Sequence, residues 1–326
     1  MKIQYTLDDS AARLPLAMRS ADSLWDRVAE LRNVPGIRLV ELTTQHMQNT
    51  GAALVDELAH YFETGNPTES DPYALATCYA QREMLEDLLR DLRDMEPGLA
   101  AFHEVEALFP ASFEREMHFT LALTAVGFPA FGYVRTYKDS EGDQYHGMVV
   151  NLAQARPHLE LVLGQFSVGL LVDTIRHGFF NHEGFQLAYT EYCQSVGRVP
   201  DKPLARLKDA LLSQGIAWYL SYRHDQAFYD EMLGITPDDL AGHIKQWNAL
   251  VDTAHKKGLV DDTVEDWLHR RDARLPGEVS LDMVGYHMAR TVAGQHGEAS
   301  LRDAIARGPD HLIAAYNALG PHKLKN

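Results

Sequence analysis

The chain has 326 residues, of which 45% are hydrophobic and 23% are charged, and these fractions argue against a largely disordered protein. Its formal net charge of -16 at pH 7 argues against a nucleic-acid or anionic-membrane surface, because such partners attract an excess of lysine and arginine. The two cysteines, Cys78 and Cys193, lie far apart and supply neither a disulfide framework nor a thiolate metal cluster.

The N-terminus and the apolar runs indicate where the protein resides. The first residues, MKIQYTLDDSAARLP, contain acids and lack the apolar core of a signal peptide. No apolar run reaches the roughly 18 residues of a membrane span, and FSVGLLVDTI is interrupted by Asp173. We therefore expect a cytoplasmic protein with no membrane partner and no nucleic-acid partner.

In chain order, the first predicted elements are a short strand and a series of helices. KIQYTLDD has the composition of a short strand, and SADSLWDRVAELRNVPG has helical periodicity and ends at a Pro-Gly pair. Apolar residues then recur at intervals of three and four as far as RDLRDM. Residues 1–108 are therefore predicted to form an N-terminal helical region.

The pattern changes after residue 108. MHFTLALTAVG, AFGYVRTY and HGMVVNLAQ are short apolar or alternating runs typical of strands, and DSEGD has the residues of a hairpin tip. Residues 109–158 are predicted to hold a small, largely antiparallel sheet, and helices return over residues 159–326. The predicted fold class is α+β and mostly helical, and the three regions can also form one continuous unit.

The segment TIRHGFFNHEGFQ carries the first functional signal. In the zinc-peptidase pattern H-E-x-x-H, two histidines at i and i+4 share one helical face and hold zinc, and the glutamate is the general base. Here Gly178 occupies the position of the glutamate after His177, and Asn181 occupies the position of the second histidine. Asp173, His177 and Asn181 recur every fourth residue as a polar stripe on an apolar helix. Such a stripe indicates a ligand site, or side chains that face solvent or hydrogen-bond to neighbouring helices.

A second register of the same segment retains a histidine and a glutamate. His182, Glu183 and Gln186 read H-E-x-x-Q, in which an amide, a poor zinc ligand, replaces the second histidine. On an α-helix His177 and His182 point roughly 140° apart. They can therefore share one ion only if the helix breaks at Gly178 or Gly184.

Another H-E pair lies outside this helix. His103 and Glu104 occur in FHEVEALF, and with 16 histidines in the chain such chance pairs are expected. This pair is interpreted as part of a helix surface.

Further segments follow in the order found in gluzincin-type zinc metallopeptidases, and the chain resembles the bacterial peptidase-like domains of that superfamily. SQGIAWYL resembles the helix that supplies the third zinc ligand, which places Gln214 where the family has a glutamate. MVGYHMARTVAGQHG resembles a helix behind the active site, where a tyrosine or histidine steadies the tetrahedral intermediate; Tyr286 and His287 match it. The resemblance implies a gluzincin-like fold, with the sheet preceding the active-site helix.

Three of the four working residues of the family are altered in this chain. Gly178 stands in place of the general base, Asn181 in place of the second histidine and Gln214 in place of the third ligand. One imidazole and two neutral amides should hold zinc weakly or not at all, because no carboxylate offsets the charge of the ion. The first hypothesis is therefore a metallopeptidase-like protein that has lost zinc hydrolysis and needs no metal cofactor.

In this first hypothesis the cleft is kept for ligand binding or for different chemistry. Asp173, Asn181 and Gln214 would bind a small polar molecule or a peptide. His177 would be the general acid or base, since histidine titrates near neutrality, and Tyr286 and His287 would complete the catalytic set. Whether a catalytic step exists and what the oligomeric state is are both left open.

Two alternatives remain. In the second hypothesis the protein is a zinc-dependent hydrolase or peptidase with displaced ligands, in which His182 is a ligand and Glu183 the base. His177, or a distant residue such as His224 or Glu191, would complete that set. In the third hypothesis it is a helical interaction protein unrelated to peptidases, which is favoured if residues 177, 181 and 214 lie far apart.

Overall fold

The structure is a computed structural model that describes residues 1–95, 100–138, 144–227, 237–269, 281–320 and 322–326. The chain is 68% helical with a small sheet of four strands, which confirms the mostly helical α+β fold. The predicted hairpin tip, DSEGD at 139–143, lies outside the described residues.

The predicted strand in KIQYTLDD is present and begins the chain. The strands are β1 (Lys2–Asp8), β2 (Glu116–Thr124), β3 (Gly132–Lys138) and β4 (Gln144–Asn151). The helices before β2 are α1 (Ser10–Ala17), α2 (Ala21–Trp25), α3 (Val28–Asn33), α4 (Pro35–Gln48), α5 (Leu54–Thr64), α6 (Leu75–Ala80), α7 (Arg82–Met95) and α8 (Ala100–Glu106). Those after β4 are α9 (Leu152–Leu163), α10 (Val168–Asp173), a π-helix (Thr174–Glu183), α11 (Gly184–Ser195), α12 (Pro203–Tyr222), α13 (Pro237–Lys257), α14 (Asp261–His269), α15 (Leu281–His296), α16 (Ala299–Arg307) and α17 (Pro309–Leu319).

The sheet is mixed rather than largely antiparallel, and its strand order is β1-β2-β4-β3. β4 pairs antiparallel with β3 and parallel with β2, with Phe119 opposite His146. An alternating pattern predicts a strand but not the direction of its partner. The signal for the parallel pair is the run Leu121, Ala122 and Leu123, which is buried throughout, because strands of parallel sheets are covered on both faces.

The chain forms two compact units, each assembled from separated segments. The sheet unit comprises residues 3–98 and 116–175, and the helical unit comprises residues 1–2, 99–115 and 176–326. In the sheet unit, α1 and α4 pack on β2, and α9 packs on β2 and β4. In the helical unit, α8 packs on α11. The three regions predicted from the sequence are consecutive along the chain. Each unit instead combines residues that precede β2 with residues that follow β4.

The centre of the helical unit is the crossing of α12 and α15, where the two backbones touch. A Cβ atom at Gly215 would lie 2.3 Å from the carbonyl carbon of Gly285, and one at Gly285 would lie 2.2 Å from the Leu211 carbonyl oxygen. Only glycine permits so close an approach. The glycines of SQGIAWYL and MVGYHMA therefore have a packing reason in this chain.

Among the described residues, no single helix is both long enough and apolar enough to cross a membrane. One bent pair, Leu152–Leu163 with Val168–Ser195, has the length and apolar composition of a span only when the two helices are taken together.

Candidate metal centre

The segment that carries the sequence motif is a π-helix rather than an α-helix. Residues Thr174–Glu183, TIRHGFFNHE, form ten residues of π-helix between α10 and α11. Backbone hydrogen bonds in a π-helix run from i to i+5, so the spacing of four residues per stripe that holds for an α-helix does not apply here. The expected polar stripe is divided accordingly, since Asp173 is exposed at the end of α10 while Asn181 is completely buried.

Three side chains of the helical unit converge at the π-helix. His177, Glu104 of α8 and His224 at the end of α12 each offer one ligand atom, and these three atoms lie within 4.8 Å of one another. The imidazole rings of His177 and His224 have centroids 4.3 Å apart. His224 Nε2 lies 3.5 Å from Glu104 Oε2. We call His177, His224 and Glu104 the HHE cluster.

The carboxylate of Glu104 is held in place by two neighbours. Asn181 Nδ2 donates to Glu104 Oε2 at 3.1 Å and to the Leu220 carbonyl oxygen at the same distance. Arg223 Nη2 lies 2.7 Å from the same Oε2. Burial raises the pKa of Glu104, but the Arg223 charge and the hydrogen bond from Asn181 outweigh it and lower the pKa below its ordinary value. Glu104 is therefore ionised at neutral pH and available to bind a cation.

The HHE cluster fits a transition-metal ion. Two imidazoles and one carboxylate form the protein ligand set of several catalytic zinc sites and of the non-haem iron facial triad. Metal–ligand bonds are about 2.0–2.2 Å long, so the ligand atoms of a tetrahedral ion lie roughly 3.3–3.6 Å from one another. His224 Nε2 and Glu104 Oε2 are already 3.5 Å apart, and the other separations in the cluster, all within 4.8 Å, need to shorten by at most about 1.5 Å.

The cluster is open on one side. His224 is exposed, whereas His177 and Glu104 are half-buried. Three protein ligands leave coordination positions for water or substrate, as in catalytic rather than structural zinc sites. The exposure of His224 gives those positions access to solvent.

The other predicted residues of the π-helix and α12 form a separate group. Gln186 Nε2 lies 2.7 Å from His182 Nε2 and donates to Gln214 Oε1 at 2.8 Å. An amide nitrogen only donates, so His182 Nε2 is the acceptor. The His182 ring packs against Trp218 in a T-shaped contact, with ring centroids 4.4 Å apart. The structure thus brings Gln214 together with His182.

The position of Gln214 follows from the antiparallel packing of the two helices. Asn181 bonds to Leu220, which lies six residues beyond Gln214 and therefore about 9 Å further along α12. For this reason the three residues of the first hypothesis are spread along the helix axis: His177, Asn181 and Gln214.

The remaining predicted residues lie on other surfaces. The buried Tyr286 of α15 packs edge-on against Tyr222, with ring centroids 5.9 Å apart. The half-buried His287 packs edge-on against Tyr316, at 6.0 Å. Glu183 is half-buried at the end of the π-helix.

Sequence patterns do not group Glu104 and His224 with His177. The sequence predicts that Glu104 lies on a helix surface, and it offers His224 only as a distant alternative ligand. A half-buried acid on α8 has no local signal that distinguishes it from a surface acid. The available signal was the weak one that Arg223 and His224 end a strongly apolar helix, where a charged pair requires partners.

Comparison of the chain with protein-family models, with curated proteins and with solved structures found no match in any of the three. The HHE cluster is therefore the feature of this chain that indicates a function. The resemblance to gluzincins stays a prediction.

Proposed function

We propose that this protein is a metal-dependent hydrolase whose divalent transition-metal ion is held by His177, His224 and Glu104. The observation that carries the proposal is the convergence of the three ligand atoms within 4.8 Å. When bound, such an ion supplies a Lewis acid and lowers the pKa of its water to about 7.

The residues of the chain have distinct roles in this proposal. His177 and His224 bind as neutral imidazoles, and Glu104 binds as a carboxylate whose lowered pKa keeps it ionised. Asn181 orients that carboxylate through its amide and fixes it to α12. Supports of this kind normally change metal affinity by about 10–100-fold when they are removed.

The proposal retains the metal-dependent chemistry of the second sequence hypothesis but changes the ligands. That hypothesis used His182 and Glu183 and required the helix to depart from α geometry. The π-helix is such a departure, and π-helical segments occur frequently at functional sites. His182 instead accepts a hydrogen bond from Gln186, which supports a different role for it.

The first prediction is that zinc binds to the HHE cluster. Protein purified without a metal-binding tag and stripped with a chelator is titrated with Zn²⁺ by calorimetry, and with Co²⁺ by absorption spectroscopy. His177→Ala, His224→Ala and Glu104→Gln should each weaken binding at least roughly 100-fold, because each removes a ligand. Chelation should abolish any hydrolytic activity, and zinc should restore it.

His103→Ala is the matched control for these variants. His103 precedes Glu104 on α8, but its side chain is 76% exposed and pairs with Glu106. This variant should bind zinc like the wild-type protein. The proposal is overturned if wild-type protein shows no zinc site, or if loss of binding follows His182→Ala and Glu183→Gln instead of the three cluster variants.

A second candidate function is a metal-free binding site for a small polar molecule or a peptide. It is supported by the Arg223 guanidinium, which lies 2.7 Å from Glu104 and compensates its charge without a metal. Under this alternative His177→Ala weakens ligand binding while wild-type protein retains no metal after purification. Metal content therefore separates the two candidates.

A further inference from the structure

Arg223 lies between the HHE cluster and a second carboxylate. Its Nη2 atom lies 2.7 Å from Glu104 Oε2, and its Nη1 atom donates to Glu298 Oε1. The Arg223 side chain is only 13% exposed. It is therefore more restricted to these two partners than an arginine on the surface would be. One guanidinium thus spans a cluster carboxylate and a carboxylate outside the cluster.

Glu298 is positioned to hold the guanidinium. It precedes helix α16, where the positive end of the helix dipole favours an anion. Tyr219 of α12 donates to Glu298 Oε1 at 3.4 Å. These contacts keep a carboxylate available to Arg223 when Glu104 is engaged elsewhere.

The Glu104 oxygen that Arg223 contacts is also the one near His224 in the HHE cluster. Oε2 is the atom that Arg223 contacts, and it also lies 3.5 Å from His224 Nε2 on the cluster side. Two cations a few ångströms apart repel each other, and burial strengthens the repulsion. Binding of an ion to Glu104 therefore favours a shift of the guanidinium towards Glu298.

We infer that Arg223 is an internal competitor of the metal, and that its division between Glu104 and Glu298 sets the metal affinity of the HHE cluster. The inference rests on the proposed function. Arg223 and Glu298 are then positioning residues with opposite effects: Arg223 lowers metal affinity, and Glu298 raises it by drawing Arg223 away.

The test measures zinc affinity by competition with a chromophoric chelator, in wild-type protein and in three variants. Arg223→Gln should bind zinc roughly tenfold more tightly, and Glu298→Gln roughly tenfold more weakly, as expected for groups that support ligands without contacting the ion. The double variant should bind as tightly as Arg223→Gln, because Glu298 acts only through Arg223. Additive effects would instead indicate independent long-range electrostatics and would overturn the inference.

Arg206→Gln is the matched control. Arg206 lies on α12, the helix that Arg223 follows, and it also contacts two acids, Asp261 and Glu265, with a side chain 32% exposed. Its removal changes the net charge by the same amount and should leave zinc affinity unchanged. A gain in affinity equal to that of Arg223→Gln would contradict a local competition.

The outcomes distinguish the inference from the proposed function. If wild-type protein binds zinc but Arg223→Gln binds it equally or more weakly, the inference fails and the metal site stands. If neither protein binds zinc, both fail. If Arg223→Gln does not fold by circular dichroism, Glu298→Gln, at a side chain 44% exposed, decides the question, and an unchanged affinity overturns the inference.

Discussion

Asn181 has a different role in the structure from the one that its position in the sequence motif suggests. As the replacement for a histidine it suggests a lost metal ligand. Its buried amide instead donates two hydrogen bonds, one to Glu104 and one to the Leu220 carbonyl oxygen. An amide nitrogen suits this position because it carries two hydrogens, whereas each imidazole nitrogen carries at most one.

The two cysteines are unreactive by the same residue-scale reasoning. Burial, with a smaller contribution from Asp71, raises the pKa of Cys78 to about 12. Burial also raises the pKa of Cys193, against the lowering effect of Arg198. Because only the thiolate reacts, neither side chain is suited to nucleophilic chemistry in the folded protein.

The corresponding prediction concerns thiol labelling. At pH 8 a thiol reagent should modify Cys78 in native protein roughly a thousandfold more slowly than in denatured protein. Since the folded pKa is raised, the folded state keeps the proton that the unfolded thiol loses, so this residue costs stability as pH rises above its ordinary pKa. Mass spectrometry measures the labelling, and rapid native modification of Cys78 would contradict the assignment.

At the scale of elements, the π-helix is the feature that rearranges the sequence motif. The apolar pattern of QFSVGLLVDTIRHGFFNHEGF predicts a helix, and a helix is present from Val168 to Ser195. The pattern does not specify i→i+5 hydrogen bonding over ten residues within it. Angles computed for an α-helix, including the separation of His177 and His182, therefore do not describe this segment.

The close crossing of α12 and α15 leads to a prediction about stability. Gly215→Ala and Gly285→Ala should each lower the free energy of unfolding by roughly 1–3 kcal/mol or more, because the added methyl group meets backbone that cannot move aside. Urea unfolding followed by circular dichroism measures the change.

Gly294→Ala is the control for that prediction. Gly294 is also within α15, and a Cβ atom there meets nothing within 4 Å. Alanine is the better helix former, so this variant should be as stable as wild type or more stable by up to about 1 kcal/mol. Equal effects at all three positions would remove the close crossing as the explanation.

At the scale of the whole molecule, the candidate site belongs to one unit. His177, His224 and Glu104 all lie in the helical unit, although α8 precedes the sheet strands in the chain and the other two residues follow them. A ligand that binds only the folded state stabilises the unit that holds it. A bound metal ion should therefore raise the stability of the helical unit.

Hydrogen exchange tests this prediction. At zinc concentrations about 100 times the dissociation constant, the helical unit should gain roughly 2.7 kcal/mol of stability. Amides of α8, α11 and the π-helix should then exchange more slowly, by up to roughly 100-fold where exchange requires unfolding of the unit. Protection confined to β2 and β4 would place the metal elsewhere.

The sequence by itself determined the elements and their class. The helical periodicity of the N-terminal part, the short strand at KIQYTLDD and the strands after residue 108 are local patterns, and local patterns follow from side-chain spacing within a few residues. The same reasoning singled out the segment around His177, because polar residues within an apolar helix require partners.

The tertiary structure alone decided which residues are those partners. Glu104 and His224 join His177 because α8 and the end of α12 pack beside the π-helix, and no local pattern encodes a contact between residues so far apart in the chain. Gln214 joins His182 instead, because α12 runs antiparallel to the helix that carries the motif. The parallel pairing of β2 with β4 was decided in the same way, since a strand pattern specifies which faces are buried but not which strand lies alongside.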